Sequence, residues 1–264
     1  MKKMYHSCIV AFSMYSKLPM PACDWNKETM AYAMAFFPWV GAVIGVVSYL
    51  AFILKEYALR LDMGFTPLFF TVLLVLIPLF ITGGIHMDGF LDTQDAMSSY
   101  QTKERRLEIL KDSHAGAFAI LSAIVYMLSY VAIMSMVNEN SMRMIALGYF
   151  LSRSLSGISV LTFTQAREKG LAATFAENAA KRRTLTVLYV SALICIICMC
   201  LFGHWVGVCT VAAAAIVFIL YRRMAYRNFG GVTGDLAGYF LQMCEIGMSF
   251  AAVLSSLIIG GICS

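Results

Sequence analysis

The chain has 264 residues, of which 60% are hydrophobic and 13% charged, with a formal net charge of +5 and a mean hydropathy of +0.76. These proportions lie far from those of a soluble domain, so the chain reads as an integral membrane protein with no nucleic acid partner. Eight cysteines suggest a disulfide scaffold. Cys195, Cys198, Cys200 and Cys209, however, sit inside apolar runs and read as small hydrophobes. The Cys-x-x-Cys at 195–198 lacks the polar neighbours of a redox or zinc site.

From the N-terminus, Lys2, Lys3, Lys17 and Lys27 surround a modest apolar stretch at 9–15. It ends in Lys17-Leu18-Pro19-Met20-Pro21 without a small-residue cleavage site, so an interfacial segment that stays attached is expected. The first span is 36–54, where Pro38, Gly41 and Gly45 form a stripe that lets a neighbouring helix come close. A second span, 67–82, falls short of the roughly 20 residues a bilayer core needs unless it continues into Gly83-Gly84. Further spans are expected at 115–137, 142–163, 184–203, 206–220 and 236–259. Only His204-Trp205 separates the fifth from the sixth, which predicts a tight helical hairpin with an interfacial aromatic. The expected fold is thus all-α, a polytopic bundle of about seven transmembrane helices in one integral membrane domain, 1–264.

After the second span comes Gly83-Gly84-Ile85-His86-Met87-Asp88-Gly89-Phe90-Leu91-Asp92-Thr93-Gln94-Asp95. As a helix it places Asp88, Asp92 and Asp95 at i, i+4 and i+7, on one face. The nearest basic residues in sequence are Arg60 and Lys103, so the repulsion calls for an external cation. Hard oxygen donors favour Mg²⁺ or Mn²⁺ over Zn²⁺. The plainer reading is a solvated acidic helix end.

Basic residues set the orientation. The N-terminus and segments 84–114, 164–183 and 221–235 hold 16 Lys and Arg, whereas the opposite loops hold Lys55, Arg60 and Arg143. The rich side is expected to be cytoplasmic, which makes this a multi-pass protein of the cell's inner membrane with its active-site loops inside. Asp88, Asp92, Asp95, Asp112 and Asp235 then share one side with Arg105, Arg106 and Lys111. Carboxylates gripping a divalent cation beside Arg and Lys suit an enzyme that handles diphosphates. A basic fringe is also common to membrane proteins generally.

Asp112 and Ser113, just before the third span, read as an N-cap, and the same position aims a carboxylate at the metal. Phe229-Gly230-Gly231-Val232-Thr233-Gly234-Asp235 opens the last span. Around Gly231 and Gly234 it offers either backbone N–H groups for phosphate or a turn capped by Asp235. Arg153 and Glu245 lie within spans, where a charge costs roughly 2.5–3.5 kcal/mol on insertion scales. Two readings stand: a structural bridge between them, or a substrate cavity with Arg153 towards phosphate.

Together the motifs at 83–95, Lys111-Asp112-Ser113-His114-Ala115-Gly116 and 230–235 resemble the cobalamin synthases, the adenosylcobinamide-GDP ribazoletransferases. Leu18-Pro19-Met20-Pro21, Phe37-Pro38, Gly41 and Gly45 extend the likeness over nearly the whole chain. Ala96 stands where the family often has glycine, and Tyr239 where a small residue is expected. The resemblance implies Mg²⁺-dependent transfer of phosphocobinamide from adenosylcobinamide-GDP to α-ribazole or its 5′-phosphate, with release of GMP. On this reading Asp88, Asp92, Asp95 and Asp112 bind Mg²⁺. Asp235 or Asp112 orients or deprotonates the attacking hydroxyl, with His86 as another base candidate. Arg105, Arg106 and Lys111 meet phosphate. Membrane lipid is the expected surrounding partner, and a homo-oligomer is compatible with the sequence.

Two rivals differ in pattern. CDP-alcohol phosphotransferases and prenyltransferases also repeat aspartates at helix ends, but with other spacings: here Asp88-Gly89 is followed by Phe90-Leu91-Asp92. A transporter would place Arg153 and Glu245 on a polar path.

Overall fold

The computed structural model describes residues 2–112, 114, 116–167 and 180–262. Their helices are α1 (Lys2–Tyr15), α2 (Lys27–Met30), α3 (Ala33–Arg60), α4 (Pro67–Thr82), α5 (Ile85–Ser98), α6 (Lys103–Ile109), α7 (Ala117–Ser135), α8 (Glu139–Thr162), α9 (Lys181–Phe229) and α10 (Gly234–Ile262). Among the described residues, α3, α7, α8, α9 and α10 are long and apolar enough to cross a bilayer, so the chain is a multi-pass membrane protein.

A straight α9, 49 residues long, would reach roughly 74 Å, more than twice the thickness of a bilayer core. It folds back instead. His204 adopts φ 47° and ψ −126°, and the backbone of Gly207 lies against the carbonyl of Met199, too close for any side chain. The expected hairpin is therefore present, with its reversal at His204.

The short apolar helix α4 behaves differently. Thr66 caps it, accepting from the Phe69 N–H, with Pro67 as its first residue; proline suits this position because the N–H it lacks would be unpaired anyway. The helix ends at Gly83 and Gly84, at φ 64° and 79°, a left-handed pair that other residues adopt at a cost. So α4 does not run on through the glycines: α5 leaves at 95° and packs against α10 and α7. The Lys17 side chain covers Gly83, and its N–H bonds the Ile81 carbonyl at 2.7 Å. In the same N-terminal segment, α1 is too short to cross, and it buries Val10, Ala11 and Phe12 against the bundle.

The central helix is α8, whose apolar window is 78% buried against 28% for α7 and 22% for α9. The Asn138–Ser141 capping box starts it. Gly41 and Gly45 of α3 lie directly on its backbone, at the carbonyls of Tyr149 and Ala146, which accounts for the small-residue stripe. Its buried hydroxyls bond backward along the helix, Ser152 to the Tyr149 carbonyl at 3.1 Å and Ser159 to that of Ser156 at 2.7 Å. Such local pairing keeps serines tolerable in an apolar interior. The outward faces carry residues such as Leu50, Phe80, Leu128, Phe202 and Ile216, as a bilayer requires. All seven cysteines among the described residues are free thiols.

Candidate functional site

The site forms where α5 crosses the start of α10. Gly89 lies on the backbone of Asp235, where an added Cβ would come 2.6 Å from its carbonyl oxygen. Gly238 lies 3.1 Å, measured the same way, from the carbonyl oxygen of His86. Two glycines facing each other let the helix axes approach, and this juxtaposes Asp88, Asp92 and Asp95 of α5 with Asp235 of α10. One face of α5 is buried through His86, Met87, Gly89, Phe90, Thr93 and Ala96. The aspartates stay on the partly exposed side.

Their proximity shows in protonation. The Asp92 carboxyl is pushed up to about 6, first by burial and then by the negative charges of Asp88, Asp235 and Asp95. An added cation would relieve that repulsion. Asp95 is held by the next motif, accepting the Gly116 N–H at 3.1 Å, and Gly116 must be a glycine because a side chain would occupy the space of that carboxylate. Among the described residues no three His, Cys, Asp or Glu side chains close into a complete metal cage.

Asp112 precedes the Gly116 that holds Asp95. It is exposed and accepts the His114 N–H at 3.0 Å, with His114 Nδ1 2.8 Å away. These bonds hold its carboxyl below the usual range, and its charged neighbours are His114 and Arg105. Ser113, the other half of the expected cap, lies outside the described residues, and α7 is capped by Gly116. Arg105 pairs with Glu108 at 2.6 Å on the exposed face of α6. Arg106 donates to Asn228 Oδ1 at 2.6 Å, while Lys111 is exposed.

Around the glycine motif, Val232 donates to the Thr164 carbonyl and Ala166 to that of Val232, both at 2.9 Å. Gly231 allows this approach, since a side chain would strike Thr164 and Ala166. Gly234 opens α10 with free space around it.

The same bridge delivers Arg167, in sequence one cation among several of the basic segment 164–183. Its guanidinium stands 3.8 Å from Asp235 and donates to the Leu107 carbonyl at 2.5 Å. The available signal was its position as the first cation after the fourth span. Tyr239, the unexpected bulky residue, stacks on Phe90 at 5.7 Å between ring centres.

Arg153 belongs to the bundle interior. With Glu245 it forms an ion pair at 2.5 Å in which both side chains are almost fully buried, and it also donates to the Tyr149 carbonyl and Ser152 Oγ. Of the two readings of these residues, the structure displays the bridge. His86 is buried beside Tyr15 and Phe37, its ring centre 6.3 and 5.8 Å from theirs.

The family model CobS, cobalamin-5-phosphate synthase, matches residues 7–253. The chain is 45% identical over 257 residues, covering 97% of both proteins, to an adenosylcobinamide-GDP ribazoletransferase of Lachnoclostridium phytofermentans. It is 29% identical to one of Clostridium botulinum, over 96% of this chain and 99% of that one, and 32% identical to one of a Geobacillus species, over 84% and 85%. No solved structure matches.

Proposed function

The chain belongs to the cobalamin-5-phosphate synthase family, and we infer from that membership that it is an adenosylcobinamide-GDP ribazoletransferase acting at the final assembly of cobalamin. A hydroxyl oxygen of α-ribazole, or of its 5′-phosphate, attacks the phosphorus on the corrinoid side of the diphosphate. The bond to the GMP phosphate breaks, GMP leaves, and the hydroxyl proton passes to a base or solvent. Adenosylcobalamin, or its 5′-phosphate, is the product.

Asp88 and Asp235, flanked by Asp92 and Asp95, would hold Mg²⁺ together with water and phosphate oxygens of the substrate, because no three of the described side chains are placed to hold it alone. When bound, the cation neutralises charge on the diphosphate oxygens. Arg167 holds Asp235 in place beside the α5 carboxylates and brings a positive charge within reach of the leaving phosphate. The exposed Arg105 and Lys111 lie on the same end and suit the outer phosphate of the nucleotide. Asp112 then serves the loop before α7, through His114, instead of the cluster. The excess of Lys and Arg in these loops supports a cytoplasmic position at the inner membrane for the site, and we take 1–264 as one catalytic domain.

One observation carries the site assignment: two helices meet at paired glycines so that carboxylates from both face one opening. Asp92→Asn in purified, folded protein tests it. GMP release at saturating Mg²⁺ should fall by about 10²–10³-fold, the usual cost of losing a group that stabilises transition-state charge. Release near the wild-type rate would remove Asp92 from the metal site.

A further inference from the structure

Beneath the carboxylates lies a cavity of about 170 Å³ whose wall includes Tyr15, Phe37, His86 and Ser156, with Asp88 and Asp235 among its lining residues. Pockets that enclose whole drug-sized ligands measure roughly 300–1,000 Å³, so this one takes a single flat ring system and neither a corrinoid nor a whole nucleotide. Its aromatic side comes from three elements. Tyr15 ends α1, Phe37 lies in α3 and His86 opens α5, with the Tyr15 and Phe37 ring centres 4.3 Å apart. Met14 and Met34 complete an apolar lining that adapts to ring edges.

In that wall one polar atom lacks a partner. His86 is 4% exposed, and its Nε2 is buried with no hydrogen-bonding group in reach. A buried nitrogen left this way is destabilising, and a ligand that bonds it removes that cost. The backbone of His86, its carbonyl oxygen above all, packs on Gly238, which fixes the start of its side chain at the α5–α10 crossing.

We propose that this cavity seats the heterocyclic base of the nucleoside acceptor, with His86 Nε2–H donating to its bare ring nitrogen. The assignment rests on the transferase reading above. Ribazole carries a benzimidazole, two fused flat rings in which one nitrogen bears the ribose and the other is an open acceptor. Seated base-first, the nucleoside turns its ribose outward to Asp88 and Asp235, where the attacking hydroxyl meets the diphosphate. His86 is then a specificity residue that touches substrate away from the reacting atoms, which separates it from the role of base.

The test compares two acceptors on the wild-type protein in lipid nanodiscs, with the GDP-activated corrinoid as donor and GMP release as readout. One acceptor is the benzimidazole α-riboside; the other is the indole α-riboside, which has the same shape but a C–H where the bare nitrogen stood. The indole compound should show a KM at least about tenfold higher at similar kcat, because it leaves Nε2–H unpaired. In His86→Leu the two acceptors should converge, while His86→Gln, which keeps a donor, should retain part of the preference. Equal KM values in the wild type would overturn the cavity assignment and leave the transferase intact. No GMP release with either acceptor would overturn the transferase reading and this inference with it.

Discussion

Two acidic regions of this molecule solve the same electrostatic problem in opposite ways. In mid-bundle, Glu245 meets Arg153 in a pair both of whose side chains are nearly inaccessible, and the charge is settled inside the protein. At the α5–α10 crossing, Asp235 pairs with Arg167 at 3.8 Å, while Asp92 feels the repulsion of Asp88, Asp235 and Asp95. Desolvation explains the contrast. A buried charge with no partner would strongly destabilise the bundle, so a stable core demands an internal counter-ion, whereas a half-exposed cluster tolerates repulsion until a ligand relieves it. Repulsion that survives folding therefore marks the end of the molecule that binds something.

The comparison breaks first at the buried pair. Glu245→Ala should cost about 3–5 kcal/mol by leaving Arg153 uncompensated. It should appear as a lower melting temperature in detergent, with much of the loss recovered in an Arg153→Leu, Glu245→Leu double variant. A single variant that melts like the wild type would mean the pair is not settled internally. The converse holds at the crossing. Asp88→Asn should leave melting unchanged or slightly higher while transfer drops by about 10²-fold, and loss of both together would make Asp88 a structural residue.

Protonation sharpens the contrast further. The Asp92 carboxyl sits near 6, above its value in an unfolded chain, so the metal-free protein gains stability as the pH falls through 6. Mg²⁺ binding must displace that proton. Its affinity should weaken by up to about tenfold per pH unit below 6, with proton uptake into buffer seen by calorimetry in buffers of different ionisation enthalpy. A pH-independent affinity between 5 and 7 would contradict the shared field of the four carboxylates. The smallest effect is expected from Tyr239→Leu, which loses a stacked ring on Phe90 worth about 0.5–1.5 kcal/mol. A modest fall in melting temperature with KM unchanged would keep Tyr239 out of the acceptor site.

Much of the fold was legible from periodicity and hydropathy. The expected spans at 67–82, 115–137 and 142–163 fall within a few residues of α4, α7 and α8, and the reversal at His204 was readable from the brevity of the polar interruption. Gly41 and Gly45 announced a close helix contact, although not that the partner would be α8. The α4–α5 bend was not legible, because a Gly-Gly pair supports both a continuing helix and a left-handed stop. In the structure the stop forms, with Lys17 from a distant part of the chain packed over Gly83. The role of Arg167 was not legible for a similar reason: the backbone bridge between its segment and the glycine motif carries it to Asp235.

What the linear order of residues determined by itself is a membrane-embedded helical bundle with its carboxylates and cations gathered at one end, because hydrophobic run lengths and charge-free spacing are local properties that the bilayer enforces. Which carboxylates face one another is a different matter. That depended on Gly89 and Gly238 meeting across two helices and on Arg153 finding Glu245, contacts between residues tens to more than a hundred positions apart. Such pairings follow from shape and mutual desolvation in three dimensions, and no local pattern encodes them.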